Sequence, residues 1–167
     1  MKIFGNKIKD DVAIKSSIRR IAYQIYENNI EEDSVIIVGI GGRGKVLSTL
    51  IGNSLKSICN LNLTFVYLSI DKKNQVNIIE SDLSLEELKN KSIIIVDDVL
   101  NTGNTLIYAV SYFLKIQVKK IQTAVMVNRN HKKFPIKADF KGISLSTSVN
   151  EHVSVVLEGD EIGIYLS

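Results

Sequence analysis

Ile14, Ile18, Ile21, Ala22 and Ile25 recur at the spacing that gathers side chains on one face of a helix, and Asn28-Asn29 closes the segment. Val35–Val38 is a short β-branched run ending at Gly39, the pattern of a buried strand. After the next glycines, Val46, Leu47, Leu50, Ile51, Leu55 and Ile58 mark the apolar face of a second helix. The same grammar returns with strands over Leu61–Leu68 and Ile93–Val96, a helix over Leu106–Leu114 and a strand over Ile121–Val127. Apolar strands alternating with helices predict an α/β fold, a central and mainly parallel sheet flanked by helices. The tail differs. Val153–Leu157 and Ile162–Leu166 flank the acidic, turn-rich stretch Glu158–Glu161, which predicts a C-terminal antiparallel hairpin. Between Ser69 and Lys91 the chain is polar and weakly periodic, as in a long loop or a loop holding a short strand and helix; long loops in compact domains are often functional.

Composition narrows the class. At 167 residues, 45% hydrophobic and 23% charged, the chain suits one globular domain, and with a single proline, Pro135, and no repeat, nothing marks a linker. The single cysteine, Cys59, excludes an intrachain disulfide and a cysteine-rich metal cluster, which fits a reducing compartment. The first seven residues lack the apolar run of a signal peptide, and no segment reaches the roughly 18 apolar residues of a membrane span. A cytoplasmic protein without membrane contact is the expectation. The net charge of +3 is too small to imply nucleic-acid binding by itself. Its distribution is uneven: Lys115, Lys119, Lys120, Arg129, Lys132, Lys133, Lys137 and Lys141 stand against the single acid Asp139. That stretch reads as a solvated face, or as an attraction for a polyphosphate or RNA. His131 and His152 fit no catalytic spacing and are read as surface or supporting residues.

Two loops carry candidate chemistry. Gly39-Ile40-Gly41-Gly42-Arg43-Gly44-Lys45-Val46 lies between a predicted strand and helix and satisfies two phosphate-binding patterns at once. As G-x-x-x-x-G-K it lacks the following hydroxyl that a triphosphatase offers to magnesium, since Val46 stands there. As G-x-G-x-x-G it resembles a dinucleotide fingerprint, but the acid expected at the end of the next strand arrives late, at Asp71. A plain tight turn is the remaining reading. In every anion-binding version the glycines let backbone N–H groups approach the anion, and Arg43 adds a planar fork of donors.

The second loop is more specific. Ile93–Val96 ends in Asp97-Asp98-Val99-Leu100, and Asn101-Thr102-Gly103-Asn104-Thr105 then opens a helix. Ligands of open α/β sheets bind at such strand ends. The two threonine hydroxyls and a run of backbone amides suit one phosphate at a helix N-terminus. Two carboxylates beside a bare phosphate would repel it, so they call for a neutral or cationic contact such as a ribose diol or magnesium.

Val96-Asp97-Asp98-Val99-Leu100-Asn101-Thr102-Gly103-Asn104-Thr105 resembles the binding motif of type I phosphoribosyltransferases. The segments Asn128–Gly142 and Ser146-Thr147-Ser148, together with Gly39–Gly44, resemble the bacterial pyrimidine-operon attenuation regulators that also act as uracil phosphoribosyltransferases. The similarity runs from about Ile14 to Tyr165. It departs at Asn128, where those regulators usually have an aspartate, and at Asn101 and Asn104, where an aromatic residue and an arginine are more frequent. The region Ile70–Ser92 has little similarity. The Asp139-Phe140 pair also occurs in purine phosphoribosyltransferases, which keeps hypoxanthine or guanine open as the base.

The resemblance implies transfer of a phosphoribosyl group from 5-phosphoribosyl-1-pyrophosphate (PRPP) to a base, first of all uracil, with Mg2+ carried mainly by the substrate. Asp97 and Asp98 would face the ribose, and Asn101, Thr102, Gly103, Asn104 and Thr105 the 5-phosphate. Ile40, Gly41, Gly42 and Arg43 would take pyrophosphate. Phe140, Lys141 and Arg129 would meet the base, although Phe140 suits core packing equally well. Lys72 and Lys73 would sit on a closing loop. A homodimer is the expected assembly, and an RNA-binding regulator with little turnover is the alternative to an enzyme.

Overall fold

In the computed structural model, residues 5–71 and 79–167 are described. The first helix, α1 (Asp11–Asn28), is entered through Asp10, whose carboxylate accepts the Ala13 N–H at 2.9 Å. That bond satisfies one of the N-terminal amides that have no partner inside a helix. Ile14, Ile18, Ile21, Ala22 and Ile25 all face the core.

Strand β2 (Ser34–Ile40) leads into α2 (Gly41–Ile58), followed by β3 (Asn62–Ile70). Then come β4 (Ile79–Ser81), a 3-10 turn at Leu85–Leu88, β5 (Ser92–Leu100), α3 (Asn104–Phe113), β6 (Lys120–Arg129) and β7 (Phe140–Leu145). The six strands are ordered β4-β3-β2-β5-β6-β7, parallel throughout except for the antiparallel edge strand β4. One apolar layer, under α1 and α2, gathers Ile21, Ile37, Leu47, Ile94 and Met126; the other, under α3, gathers Val38, Ile93, Ile95, Leu106 and Phe113. Burial on both faces explains why β2 and β5 read as unbroken apolar runs instead of alternating ones.

The predicted hairpin is present as β8 (Val153–Val156) and β9 (Gly163–Leu166), but it belongs to a separate three-stranded sheet ordered β1-β9-β8. The added strand β1 (Asn6–Lys9) escaped the hydrophobic pattern because Ile8 is its single apolar residue. Strand β7 was also not anticipated. Its Phe140-Lys141-Gly142 start does alternate in burial, and Gly142 is required because a side-chain carbon there would lie 2.5 Å from the Met126 carbonyl oxygen. In the polar 69–91 region the second reading is the better one. Strand β4 and the 3-10 turn lie there, the latter opened by a reciprocal Ser84–Glu87 capping box. Among the described residues, no helix is long and apolar enough to cross a membrane.

Strand order reverses between β2 and β5. The chain adds β3 on one side of β2 and then returns to place β5 on the other. Loops leaving the carboxyl ends of β2 and β5 diverge to opposite sides, opening a crevice. Helix α2 is pulled close to this point: a carbon added at Gly44 would stand 2.8 Å from the Val96 carbonyl oxygen, which belongs to the backbone and cannot swing away. Gly44→Ala is therefore expected to lower the unfolding free energy by about 1–3 kcal/mol, read from urea denaturation. A variant as stable as the wild type would show that α2 is not held to β5 at this contact.

Candidate active site

At the crevice between β2 and β5, a cavity of about 640 Å³ is lined by Ile40, Gly41, Gly42, Arg43, Asp97, Asp98, Val99 and Thr105, with Ser69 and Ile70 from β3 and His152 from the far side. Both loops singled out in the sequence thus meet in one cleft. The structure supplies the reason: β2 and β5 pair directly, with Gly39 opposite Val96, so Ile40 and Asp97 follow one another at the same level of the sheet.

On the β2 side, Gly41 has φ +61°, a left-handed conformation that turns the chain abruptly into α2 and favours glycine. No side chain caps α2, and no acid occupies its first turn. Added carbons at Gly41 and Gly42 would meet open space, so their amides face an unobstructed approach. Arg43 reaches across and places Nη1 3.4 Å from Asp98 Oδ2. The arginine side chain is 61% exposed and the acid 16% exposed, so solvent screens the pair and Arg43 can be drawn to another anion at small cost.

On the β5 side, the Asp98 amide donates to Asp97 Oδ1 at 2.9 Å, which fixes the first carboxylate against its neighbour's backbone. Among the described residues no group of three or more His, Cys, Asp or Glu side chains converges as a metal site. One or two carboxylates beside a polyphosphate are nevertheless the usual setting for magnesium, which keeps waters and substrate oxygens as its other ligands.

Past Leu100, a smaller cavity of about 60 Å³ is lined by Asp97 and by Val99 through Leu106. Gly103 has φ +85° and serves as the N-cap of α3, so it offers no side-chain acceptor to the helix amides. The Thr102 hydroxyl accepts the Asn104 N–H at 3.3 Å. The 132–136 segment seals the turn from outside: Lys133 and Phe134 donate their amides to the Thr102 carbonyl at 2.8 and 3.2 Å, and Ile136 Cγ2 lies 2.4 Å from where a Gly103 side chain would begin. Asn101, Thr102, Gly103, Asn104 and Thr105 therefore line one small cavity at the N-terminus of α3.

The three residues expected at the base do not line the cleft. Phe140 is 4% exposed and packs in the core layer that contains the α1 isoleucines, so the packing reading describes it. Lys141 is the second residue of β7, opposite Val125, and its carbonyl accepts Arg20 Nη1 at 3.1 Å from α1. Arg129 is 5% exposed and already engaged. Its Nε and Nη2 donate to Thr147 Oγ1 at 3.0 and 2.7 Å, and Nη2 also donates to the Glu151 carbonyl at 2.9 Å. The residues that sequence reasoning missed are His152 and Ser69, whose distant positions in the chain gave no motif to find them by. Lys72 and Lys73 lie outside the described residues. Within the basic stretch, Lys119 pairs with Glu32 at 2.9 Å, Lys137 with Asp139 at 3.2 Å, and Lys120 donates to the Asn28 carbonyl at 2.6 Å.

An open α/β sheet here carries a glycine turn, a pair of acids and a small cavity before a helix N-terminus at its switch point, the place where ligands of such sheets bind. Residues 5–158 match the phosphoribosyl transferase domain, and the chain belongs to that family. It is 36% identical over 166 residues to "Bifunctional protein PyrR" of Fusobacterium nucleatum, covering 95% of this chain and 94% of the relative. It is 34% identical over 155 residues to "Pyrimidine operon regulatory protein" of Lactococcus lactis subsp. lactis, covering 89% and 88%. The solved hypoxanthine phosphoribosyltransferase of Trypanosoma cruzi superposes with a TM-score of 0.77 over 90% of this chain and 86% of that one, at 14% identity, a likeness of fold alone. The chain is a phosphoribosyltransferase with the type I fold.

Arg129 makes a separate expectation. Arg129→Met removes a buried charge together with the donors that hold Thr147, Ser148 and Glu151, and should lower stability by about 2–3 kcal/mol. Denaturant midpoints measure the loss, and faster amide exchange confined to residues 146–152 would locate it. An unchanged midpoint would mean that those acceptors find other partners.

Proposed function

We propose that the protein transfers the phosphoribosyl group of PRPP to uracil, giving uridine 5'-monophosphate and pyrophosphate. The observation that carries this reading is the junction of two carboxylates, a phosphate cup and an uncapped helix N-terminus in one cleft. A pyrimidine is preferred to a purine because a relative at 34% identity is named for a pyrimidine operon, whereas the hypoxanthine enzymes share only the fold at 13–15% identity.

In this mechanism the Thr102–Thr105 turn holds the 5-phosphate through its amides and hydroxyls, with the partial positive charge of α3 behind it. Asp97 and Asp98 accept hydrogen bonds from the ribose hydroxyls. The Gly41 and Gly42 amides take pyrophosphate, and Arg43 turns to it from Asp98. Magnesium bound with the substrate, with Asp97 and Asp98 as its hard oxygen contacts from the protein, would neutralise the leaving group. As the bond to pyrophosphate lengthens, positive charge grows on the ribose ring, and the two carboxylates stabilise that charge more than they stabilise the substrate. The base nitrogen then bonds to the anomeric carbon from the opposite side as the bond to pyrophosphate breaks, and the N–H proton of the base passes to water or to the departing pyrophosphate. Lys72 and Lys73, on the connection from β3 to β4, are proposed to close over the cleft and exclude water. The protein acts in the cytoplasm as a homodimer.

A second reading, regulation through RNA, is favoured by the names of the relatives, which are "Bifunctional protein PyrR" and "Pyrimidine operon regulatory protein". Lys115, Lys119, Lys132, Lys133, Lys137 and Lys141 are all exposed, and the ion pairs of Lys119 and Lys137 lie in solvent, which leaves these charges available to a polyanion.

The test is pyrophosphate release from PRPP and magnesium with uracil, hypoxanthine, guanine, adenine and orotate in turn. Turnover should be confined to uracil. Asp97→Asn and Asp98→Asn should each lower kcat by roughly 10²–10³-fold, with PRPP binding retained in calorimetry. Turnover with a purine instead would reject the pyrimidine assignment, and full activity in both variants would reject the role given to the acids.

A further inference from the structure

We infer that His152 is the residue of this chain that recognises the polar edge of the acceptor base. The inference rests on the phosphoribosyl transfer proposed above and assigns the part of the substrate that the other described residues of the cleft leave without a partner.

Each portion of PRPP has a matching chemistry in the cleft: amides and Arg43 for pyrophosphate, Asp97 and Asp98 for the diol, and the Thr102–Thr105 cup for the 5-phosphate. A nucleobase needs something different, a neutral surface with hydrogen-bonding groups that can both donate and accept. Phe140 is committed to the core, the Lys141 carbonyl to Arg20, and Arg129 to the 147–151 loop. Of the remaining cleft residues, Ile40, Ile70 and Val99 are apolar, and Ser69 stands on the β3 side with a single hydroxyl. His152 has two ring nitrogens, and in the neutral imidazole one donates while the other accepts. A pyrimidine edge presents the complementary pair, a ring N–H beside a carbonyl.

His152 is also built into position. Its amide donates to the Ser167 carbonyl at 2.7 Å, and the Ser167 amide donates back to the His152 carbonyl at 3.0 Å, immediately before β8 begins. On the other side, Arg129 holds the Glu151 and Ser148 carbonyls and Thr147 Oγ1. The backbone at His152 is therefore clamped from both directions while its side chain stays exposed in the cleft. The imidazole has no hydrogen bond to any described residue, in contrast to His131, whose Nε2 lies 2.8 Å from the Thr147 carbonyl oxygen. The second sheet thus brings one uncommitted, bifunctional side chain to face the carboxyl ends of β2 and β5.

The experiment is steady-state kinetics on the full chain with uracil and PRPP, each varied in turn, for the wild type, His152→Ala and His152→Gln. Calorimetric binding of uridine 5'-monophosphate and of pyrophosphate accompanies the kinetics. His152→Ala should raise KM for uracil about tenfold, the scale of one lost hydrogen bond, and weaken the nucleotide similarly. KM for PRPP and the affinity for pyrophosphate should stay within about twofold, and His152→Gln, which keeps a donor and an acceptor, should recover part of the loss. An unchanged uracil KM in His152→Ala, or a parallel rise in the KM for PRPP, would overturn the assignment while leaving the proposed reaction standing. A wild type that neither turns over uracil nor binds the nucleotide would overturn both.

Discussion

The direct pairing of β2 with β5 is the constraint on which the site depends. Gly39 lies opposite Val96, so Ile40, the last residue of β2, and Asp97, the first acid of β5, emerge side by side at the point where strand order reverses. A crevice opens there because the two following loops must leave in opposite directions to reach their helices. Gly44 keeps that crevice narrow, since any side chain would strike the Val96 carbonyl and push the N-terminus of α2 away from the acids. Gly39 is needed for the same approach, since a carbon added there would lie 2.7 Å from Lys45 Cα near the start of α2.

Charge in the cleft is arranged so that each group is held but not exhausted. Asp97 is steadied by the Asp98 amide, and Asp98 faces an exposed arginine across the gap. An exposed ion pair contributes about 0–1 kcal/mol, so an anion can draw Arg43 away without a large penalty while the carboxylates stay in place. The α2 N-terminus has neither a capping side chain nor a first-turn acid, which leaves its dipole available to an anion. By contrast Asp10 caps α1, the helix that takes no part in the site. A capped helix gains stability; an uncapped one keeps its amides for the ligand.

Legibility of the sequence followed the length scale of the signals. Strands β2, β5 and β6 are largely buried apolar runs, β3 is an apolar segment, and α1 to α3 show helical spacing, so all were visible locally, whereas β4 lies in the polar 69–91 region. The acid pair and the turn after it were visible because their residues are contiguous from Asp97 to Thr105. Strand β1 was invisible because its pairing partner, β9, lies at the other end of the chain and Ile8 is its single apolar residue. The base contacts expected from resemblance met a different limit. Phe140, Lys141 and Arg129 have the right chemistry, but whether an aromatic ring stacks or packs, or an arginine reads or braces, depends on neighbours that the sequence does not place beside them. Phe140 pairs with Ala124 and joins the core layer, the Lys141 carbonyl accepts Arg20, and Arg129 donates to Thr147 and Glu151.

The small second sheet gains a function from this view. An open α/β sheet presents its ligand loops on one edge only, and a substrate lying there remains open to water on the opposite side. Closing that side requires chain from elsewhere, and here it comes from the join of β1, β8 and β9, whose first and last strands belong to opposite ends of the sequence. The Arg129 brace ties this sheet to the carboxyl end of β6, beside the strand that carries Asp97 and Asp98. A side chain presented beside the second sheet is therefore referenced, through Arg129, to the same sheet that carries Asp97 and Asp98. Buried arginine is costly to desolvate, and it is tolerated at Arg129 because its donors meet fixed oxygen acceptors on the loop it holds.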